Sequence, residues 1–253
     1  MKKIIRCTNS TITEALVILR GQPAQQDDEA LGAMLKAGRK KFPDIKKMPS
    51  LVIIEKQDGP IPPFWNTQLS WGNNRYVVRL GHQFLSIHFI CDLAKDRYDT
   101  YEGTLGQPVK DWLEIVSEFS GTGVFKPEKI GFGYVNTFLA KEEKLDLSDY
   151  FKINVGIELD PTKTPLQEIN THFRFLQPNT NTKLSFDLRV GEKSGQVQLQ
   201  TKTSAKRQGI PASDFKKIED VLKTIVEIKD AAKEAFFALT TDRAKREMGA
   251  QYA

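Results

Sequence analysis

The chain has 253 residues, of which 40% are hydrophobic and 27% charged, so it can bury a large core and no segment is polar enough to require disorder. Its only cysteines, Cys7 and Cys91, exclude a disulfide framework and are typical of a reducing compartment. The net charge of +5 favours approach to a polyanion without establishing that one binds. Since no apolar run is as long as a membrane span and no cleavage site follows the basic N-terminus, we expect a cytoplasmic protein with no membrane partner.

The first predicted elements are a strand and a basic helix. Residues 12–19 form an apolar run typical of a strand, and Gly21 ends it. Apolar residues at helical spacing follow, from a cap at Asp27 or Asp28 to a stop at Pro43. The exposed side of this helix is predicted to carry Lys36, Arg39, Lys40 and Lys41.

Four strands and a second helix complete the first half of the chain. The strands are predicted at residues 51–55, 67–71, 76–80 and 84–91. Three prolines within residues 59–63 make a stiff loop before the second of these strands, and Phe64 and Trp65 follow it as candidate exposed anchors for a partner. Residues 98–119 have a helical apolar stripe, in which Pro108 indicates a kink or a short helix followed by a longer one.

The second half repeats this order with a shortened first helix. A strand at residues 129–139 and a helical turn at residues 147–151 are followed by extended stretches at 153–159, 167–176, 183–190 and 196–203. The last two stretches alternate between apolar and polar residues, so we expect one face of their sheet to be exposed to water. The final and longest helix is predicted to be capped by Ser213 and to lie across these strands.

The order strand, helix, four strands, helix therefore occurs twice, in residues 1–123 and in residues 124–253. We predict an α+β fold of tandem β-α-β4-α units, with antiparallel sheet and with helices packed on one side. This order is similar to the TATA-box-binding-protein-like fold. In that fold, paired repeats form one curved antiparallel sheet that has its helices on the convex side.

One strand motif resembles that of a known family. Residues 130–136 read Ile-Gly-Phe-Gly-Tyr-Val-Asn and resemble the Arg-Leu-Gly-x-Arg-Tyr-Ile-Asn strand of a sporadically distributed prokaryotic family of uncharacterised function. The Asp-Leu-x-x-Tyr-Phe turn at residues 146–151 and the C-terminal Phe-x-x-Leu-Thr-Thr-Asp-Arg segment are also similar, whereas Lys129 and Gly133 stand where the family usually has arginines. The resemblance implies the architecture and no reaction. The patchy distribution of that family implies an accessory role, as in prokaryotic defence or toxin-antitoxin cassettes.

The sequence contains no recognisable catalytic or metal-binding pattern. The histidines, at positions 82, 88 and 172, have no partners at ligand spacing, and strand alternation points His88 away from Cys91, which predicts a partly exposed strand histidine. Gly131 and Gly133 lie within a predicted strand and not before a helix, so they are interpreted as sites of a bulge or of close packing rather than as a phosphate loop. No serine or cysteine is singled out with a base. We therefore expect no cofactor and no metal.

Binding is the function that these patterns favour. The first hypothesis is a non-enzymatic interaction or regulatory module that contacts a protein partner or a second copy of itself across a broad surface and not in a cleft. Its candidate contacts are Phe64, Trp65, Tyr134 and Asn136. The alternative is a nucleic-acid-binding protein, although its basic residues are expected mostly on helices and termini; the candidates are Lys36, Arg39, Lys40, Lys41, Lys206 and Arg207. A third hypothesis is an enzyme with an unrecognised site.

Overall fold

A computed structural model of the chain describes most of its residues. The described residues are 4–21, 28–48, 67–81, 84–93, 95, 97–120, 123–139, 147–152, 168–177, 181–193 and 196–252. The predicted strands at residues 51–55 and 153–159 lie outside these ranges. So do the proline-rich loop and the candidate contacts Phe64 and Trp65.

The described elements alternate between strands and helices along the chain. The strands are β1 (Ile4–Cys7), β2 (Ile12–Gly21), β3 (Lys46–Met48), β4 (Thr67–Trp71), β5 (Tyr76–Gly81), β6 (Phe84–Ile90), β7 (Pro127–Leu139), β8 (Glu168–Gln177), β9 (Thr182–Lys193), β10 (Gln196–Gln208) and β11 (Ala250–Tyr252). The α-helices are α1 (Asp28–Lys41), α2 (Gln107–Glu118), α3 (Leu147–Tyr150), α4 (Ile218–Leu239) and α5 (Asp242–Glu247). None of the helices in the described ranges is long and apolar enough to cross a membrane.

One antiparallel sheet organises these elements. Within the described residues its strand order is β3-β4-β5-β6-β2-β7-β10-β9-β8, and β1 pairs separately with β11. Strands β2 and β7 are neighbours at the centre, and each is flanked on its outer side by strands that follow it along the chain. The predicted α+β class, the antiparallel pairing and the packing of helices against the sheet are confirmed.

Strand alternation divides the side chains of the sheet between two faces, one of which packs against the helices. On β2, the fully buried Ala15, Val17 and Leu19 point toward the helices, whereas Glu14, Leu16 and Ile18 point to the other face. The same alternation on the neighbouring strands builds the main core, in which the helices contribute Met34, Leu113, Ile225 and Ile228 among others. The helix face and the opposite face, which we call the outer face, therefore carry different chemistry.

A short helical turn precedes α2, which is one of the two arrangements that the proline predicts. Residues Glu102–Gly106 form a π-helical turn, and the regular helix α2 begins directly after it with Pro108 in its first turn. Proline fits there because the first backbone N–H groups of a helix have no acceptor within the helix. Tyr98 and Tyr101 precede this turn and are buried against the rings of Tyr134 and Phe132 on β7.

The start of the last helix differs from the prediction. Ser213 lies in a short 3-10 turn, and α4 begins only at Ile218. Instead, the Asp220 carboxylate accepts hydrogen bonds from the backbone N–H groups of Lys216 and Lys217, at 3.0 and 3.1 Å. Phe215 is buried in extended backbone before the helix, so its packing sets the later start.

Candidate functional site

A cavity of about 440 Å³ opens between the sheet, the segment that includes the π-helical turn before α2, and helix α4. Residues from distant parts of the chain form its wall, among them Cys7, Tyr98, Tyr101, Tyr134, Asn136 and Lys229. The prediction that no cleft is present is therefore wrong. The cavity lies where α4 and residues 98–102 both face the sheet.

Strand alternation and aromatic packing place the tyrosines in this wall. Tyr134 and Asn136 lie on β7 with Phe132, and all three point to the helix face. Tyr134 packs edge-on against Tyr98 and Phe132, with ring centroids 5.8 and 4.8 Å apart. Tyr101 packs on the other side of Phe132 at 5.8 Å. The rings are thus held by one another as well as by the backbone.

Two tyrosine hydroxyls in this cluster have no hydrogen-bond partner. The hydroxyls of Tyr98 and Tyr101 are both inaccessible to water, and neither has a hydrogen-bond partner of acceptable geometry among the described residues. The Tyr134 hydroxyl lies close enough to that of Tyr98 to help raise its pKa, but the distance and angles between the two do not satisfy a hydrogen bond. Native proteins leave very few buried polar groups unpaired, so these two require an explanation.

The tyrosines and the cysteine of the cavity are held in their neutral forms. Burial raises the pKa of Tyr98, Tyr101 and Tyr134, so all three are neutral phenols at neutral pH. Burial also raises the pKa of the Cys7 thiol to about 11, which keeps it protonated and a poor nucleophile.

Lys229 closes the charged side of the cavity. Its ammonium lies 3.0 Å from Glu102 Oε1, 3.2 Å from Asp230 Oδ1 and 5.6 Å from the centroid of the Tyr101 ring. Partial burial acts to raise the pKa of Glu102, but a backbone hydrogen bond and the Lys229 ammonium outweigh it and lower that pKa. The positive charge of Lys229 is therefore balanced by two carboxylates. Its ion pair with Glu102 links α4 to the π-helical turn before α2.

Asn136 joins the cavity to the chain termini. Its Oδ1 accepts a hydrogen bond from Thr11 Oγ1 at 3.1 Å, and the same hydroxyl lies 3.7 Å from the Met248 sulfur. Met248 precedes β11, which pairs with β1, so both ends of the chain contribute to this wall.

The candidate contacts predicted from sequence are only partly brought together. Tyr134 and Asn136 both line the cavity, but they are 8% and 3% exposed, so a small molecule can reach them and a broad protein surface cannot. The alternation of β7 explains this burial, because both side chains lie on the helix face. Sequence reasoning missed Lys229, although a lysine within the apolar stripe of α4 between Ile225 and Ala232 was a visible signal.

The predicted nucleic-acid contacts fall on two sides of the molecule. Lys36, Arg39 and Lys40 are exposed on α1, and Lys41 there is paired with Asp111 at 3.0 Å and with Glu114. Lys206 is exposed on the outer face of β10, whereas Arg207 points to the helix face and lies 3.1 Å from Glu227. These six residues do not form one binding strip.

A buried polar chain crosses β2 and β6 on the outer face. His88 Nδ1 lies 2.7 Å from Glu14 Oε1, and His88 Nε2 lies 3.0 Å from Ser86 Oγ. The prediction of a partly exposed His88 is wrong, since the residue is 7% exposed and has partners on both nitrogens. The order of groups matches a serine-histidine-carboxylate triad. However, Ser86 is 1% exposed, so no substrate reaches its oxygen in this conformation and the chain is interpreted as structural.

Glu14→Gln should reduce stability in a pH-dependent way. The hydrogen bond from His88 lowers the pKa of Glu14, with smaller contributions from Lys202 and Arg79. A lowered pKa in the folded state gives stabilisation that is present above the ordinary glutamate pKa and lost as the pH falls through the folded value. In urea unfolding, the variant should lose about 1 kcal/mol at pH 7, and the difference from the original chain should shrink below pH 4. Glu234→Gln, an exposed carboxylate on α4, is the control and should show no such trend. A Glu14→Gln deficit of equal size at pH 7 and pH 3 would contradict the assignment.

Among the residues that the structure describes, no group of three or more metal-ligating side chains comes together. No protein-family model matches the sequence, and no curated protein is significantly similar to it.

Proposed function

We propose that this protein is a non-enzymatic binding module with a regulatory role, and that its tyrosine-lined cavity holds a small molecule. The observation that supports this is the pair of buried, unpartnered hydroxyls on Tyr98 and Tyr101. Leaving a buried hydroxyl unpaired costs about 1–3 kcal/mol, and phenylalanine at either position would avoid that cost. A ligand that turns these two side chains toward the cavity as it binds, and then accepts hydrogen bonds from both hydroxyls, would explain why tyrosine is present.

The wall also indicates the chemistry of the ligand. Because both tyrosines are neutral, each hydroxyl has a proton to donate, which suits a carbonyl oxygen or a ring nitrogen. Ile12, Phe236 and Met248 add apolar surface. A volume of about 440 Å³ is within the range of small-molecule sites. The expected ligand is thus a compact, mostly apolar molecule with one or two acceptor atoms.

Binding fits this cavity better than catalysis does. A general base or nucleophile works best when its pKa is near the operating pH. Here burial moves the pKa of Cys7 and of the three tyrosines upward, away from neutrality, and a backbone hydrogen bond together with Lys229 lowers that of Glu102. The tyrosines are therefore neutral donors and Glu102 is a fixed charge, which is what a binding site needs.

The proposal also includes a protein partner, which would bind differently to the protein with and without ligand in the cavity. The β1–β11 ribbon contributes to the cavity wall through Cys7 and the adjoining Met248, and it exposes Tyr252, which is 48% accessible. A ligand that shifts this ribbon would therefore alter an outer surface. An accessory role in a prokaryotic defence or toxin-antitoxin cassette stays a proposal that rests on the sequence resemblance.

Removing both hydroxyls should weaken ligand binding without lowering the stability of the unliganded protein. The double variant Tyr98→Phe/Tyr101→Phe loses only unpaired donors, so without ligand its melting temperature should stay the same or rise. We would screen aromatic carbonyl compounds and nitrogen heterocycles by thermal shift. At 100 times its dissociation constant, a compound stabilises the original chain by about 2.7 kcal/mol. The same compound should bind the double variant at least tenfold more weakly.

Tyr76→Phe is the matched control for this experiment. Its hydroxyl donates to the Thr104 carbonyl at 3.4 Å, and it does not line the cavity. Its loss should lower stability slightly and leave binding unchanged. The proposal is wrong if no compound stabilises the original chain, or if the double variant binds as tightly as the original.

A further inference from the structure

The outer face of the sheet carries a group of cationic side chains that lies away from the cavity. On β10, Thr203 and Ala205 are buried toward the helices, whereas Lys206 points the other way and is exposed. On β9, Lys183 likewise alternates with the helix-side Thr182 and Leu184 and is exposed. These lysines face away from the cavity and do not line it.

Two lysines stand directly opposite each other there. In the antiparallel ladder of β9 and β10, Lys206 is paired in register with Lys183. Directly opposed side chains in such a pair have their Cβ atoms about 4.5–5.5 Å apart, and like charges at that distance destabilise the sheet. Elsewhere in the same ladder the pairing is complementary, since Lys202 is opposite Asp187. The Lys183–Lys206 pair thus has no opposite charge directly across the ladder, unlike Lys202.

Two further cations extend this pair across the sheet. Arg20 on β2 is in register with Lys129 on β7, and Gly131, two residues further along β7, is in register with Lys206. Arg20, Lys129, Lys206 and Lys183 therefore lie on four adjacent strands. At 4.7–4.9 Å per strand they span about 14 Å. Glu14 and Asp187, two carboxylates of this face, lie six and four residues away along their strands from Arg20 and Lys183, or roughly 20 and 13 Å.

Gly131 leaves the middle of this group without a side chain. A Cβ built on Gly131 would meet its nearest atoms at 3.7–3.9 Å, which is ordinary contact, so packing does not require glycine there. Beside Arg20, the half-buried Phe84 ring lies 5.7 Å from the guanidinium carbon. The group therefore has no side chain at its centre, cations around that position and an aromatic ring beside Arg20.

We infer that this outer-face cationic group binds the phosphodiester backbone of a nucleic acid. Charge complementarity supports this choice, because several cations in a row match regularly spaced phosphates. The Arg20–Phe84 pair adds a surface on which a base can stack. Bound phosphates would also neutralise the Lys183–Lys206 repulsion, which gives a reason for the opposed pair to exist.

The test is fluorescence anisotropy with a labelled 20-base-pair DNA duplex and with a 20-nucleotide single strand, between 50 and 200 mM NaCl. The Lys183→Glu/Lys206→Glu variant should bind the preferred form at least tenfold more weakly. Its salt dependence should fall by about one unit of slope for each lysine removed. The matched control is Lys36→Glu/Lys40→Glu, which changes the net charge equally on the exposed side of α1 and should alter affinity less than threefold.

A single variant distinguishes lost DNA binding from lost folding. Lys183→Glu puts a carboxylate opposite Lys206, so its melting temperature should rise while its affinity for DNA falls. The inference is overturned if the original chain binds neither form at 50 mM NaCl, or if both double variants lose affinity equally. Binding to vesicles containing phosphatidylserine without any binding to DNA would also overturn it, and would assign the face to a membrane surface.

Discussion

Trp112→Ala should lower the free energy of unfolding by about 3–5 kcal/mol, the largest effect that we expect from a single substitution. Trp112 on α2 is fully buried, and its ring stacks on Phe42 at 5.7 Å and tilts against Trp71 at 6.3 Å. It therefore joins the end of α1, helix α2 and strand β4. Urea unfolding followed by circular dichroism measures the loss, which is a large fraction of the 5–15 kcal/mol typical of a protein.

Trp112→Phe is the informative control. The indole N–H of Trp112 has no hydrogen-bond partner, so phenylalanine removes part of the packing and no hydrogen bond. Its loss of stability should be clearly smaller than that of the alanine variant. Equal losses would mean that the indole N–H forms a hydrogen bond that the structure does not contain.

Gly38→Ala should lower the free energy of unfolding by about 1–3 kcal/mol, although alanine is normally the better helix former. A Cβ on Gly38 would lie 2.7 Å from Trp112 Cη2, which is closer than such contacts are found. Trp112 is fully buried between other aromatic rings and does not have room to move away. The helix α1 would have to shift outward from α2.

Gly32→Ala in the same helix makes a matched comparison. A Cβ at Gly32 would have no atom within 4 Å, so the change reduces the entropy of the unfolded chain without a clash. This variant should gain about 0.5–1 kcal/mol. Urea unfolding of the two variants should give changes of opposite sign. A stabilising effect of Gly38→Ala would show that α1 does not approach Trp112 as closely as the structure indicates.

Much of the secondary structure follows from local chemistry that is visible in the sequence. Strand alternation predicts β4, β5 and β6 to within one residue, because turn residues end each run. Pro108 predicts the junction at the start of α2, since proline fits only where no backbone N–H is needed. The cap at Ser213 fails because Asp220 competes for the same role and Phe215 is withdrawn into the core.

The cavity depends on contacts that local patterns do not contain. Tyr98 and Tyr134 are 36 residues apart in the sequence, and Lys229 comes 95 residues after Tyr134. Alternation predicts that Tyr134 and Asn136 share one face of β7, but not that this face is the covered one. For the same reason Glu14 and His88 come together only when β2 pairs with β6.

The sequence by itself determined the α+β class, most of the strands of the sheet and the alternation that puts Lys183 on the polar side of its strand, because backbone geometry gives a strand a period of two. Lys206 lies beyond the predicted end of its strand at residue 203, because β10 continues to Gln208. Only the tertiary structure decided the register that opposes those lysines and the gap beside α4 that exposes the tyrosine wall. Register and helix placement are set by long-range packing of the whole core, and no short segment contains that information.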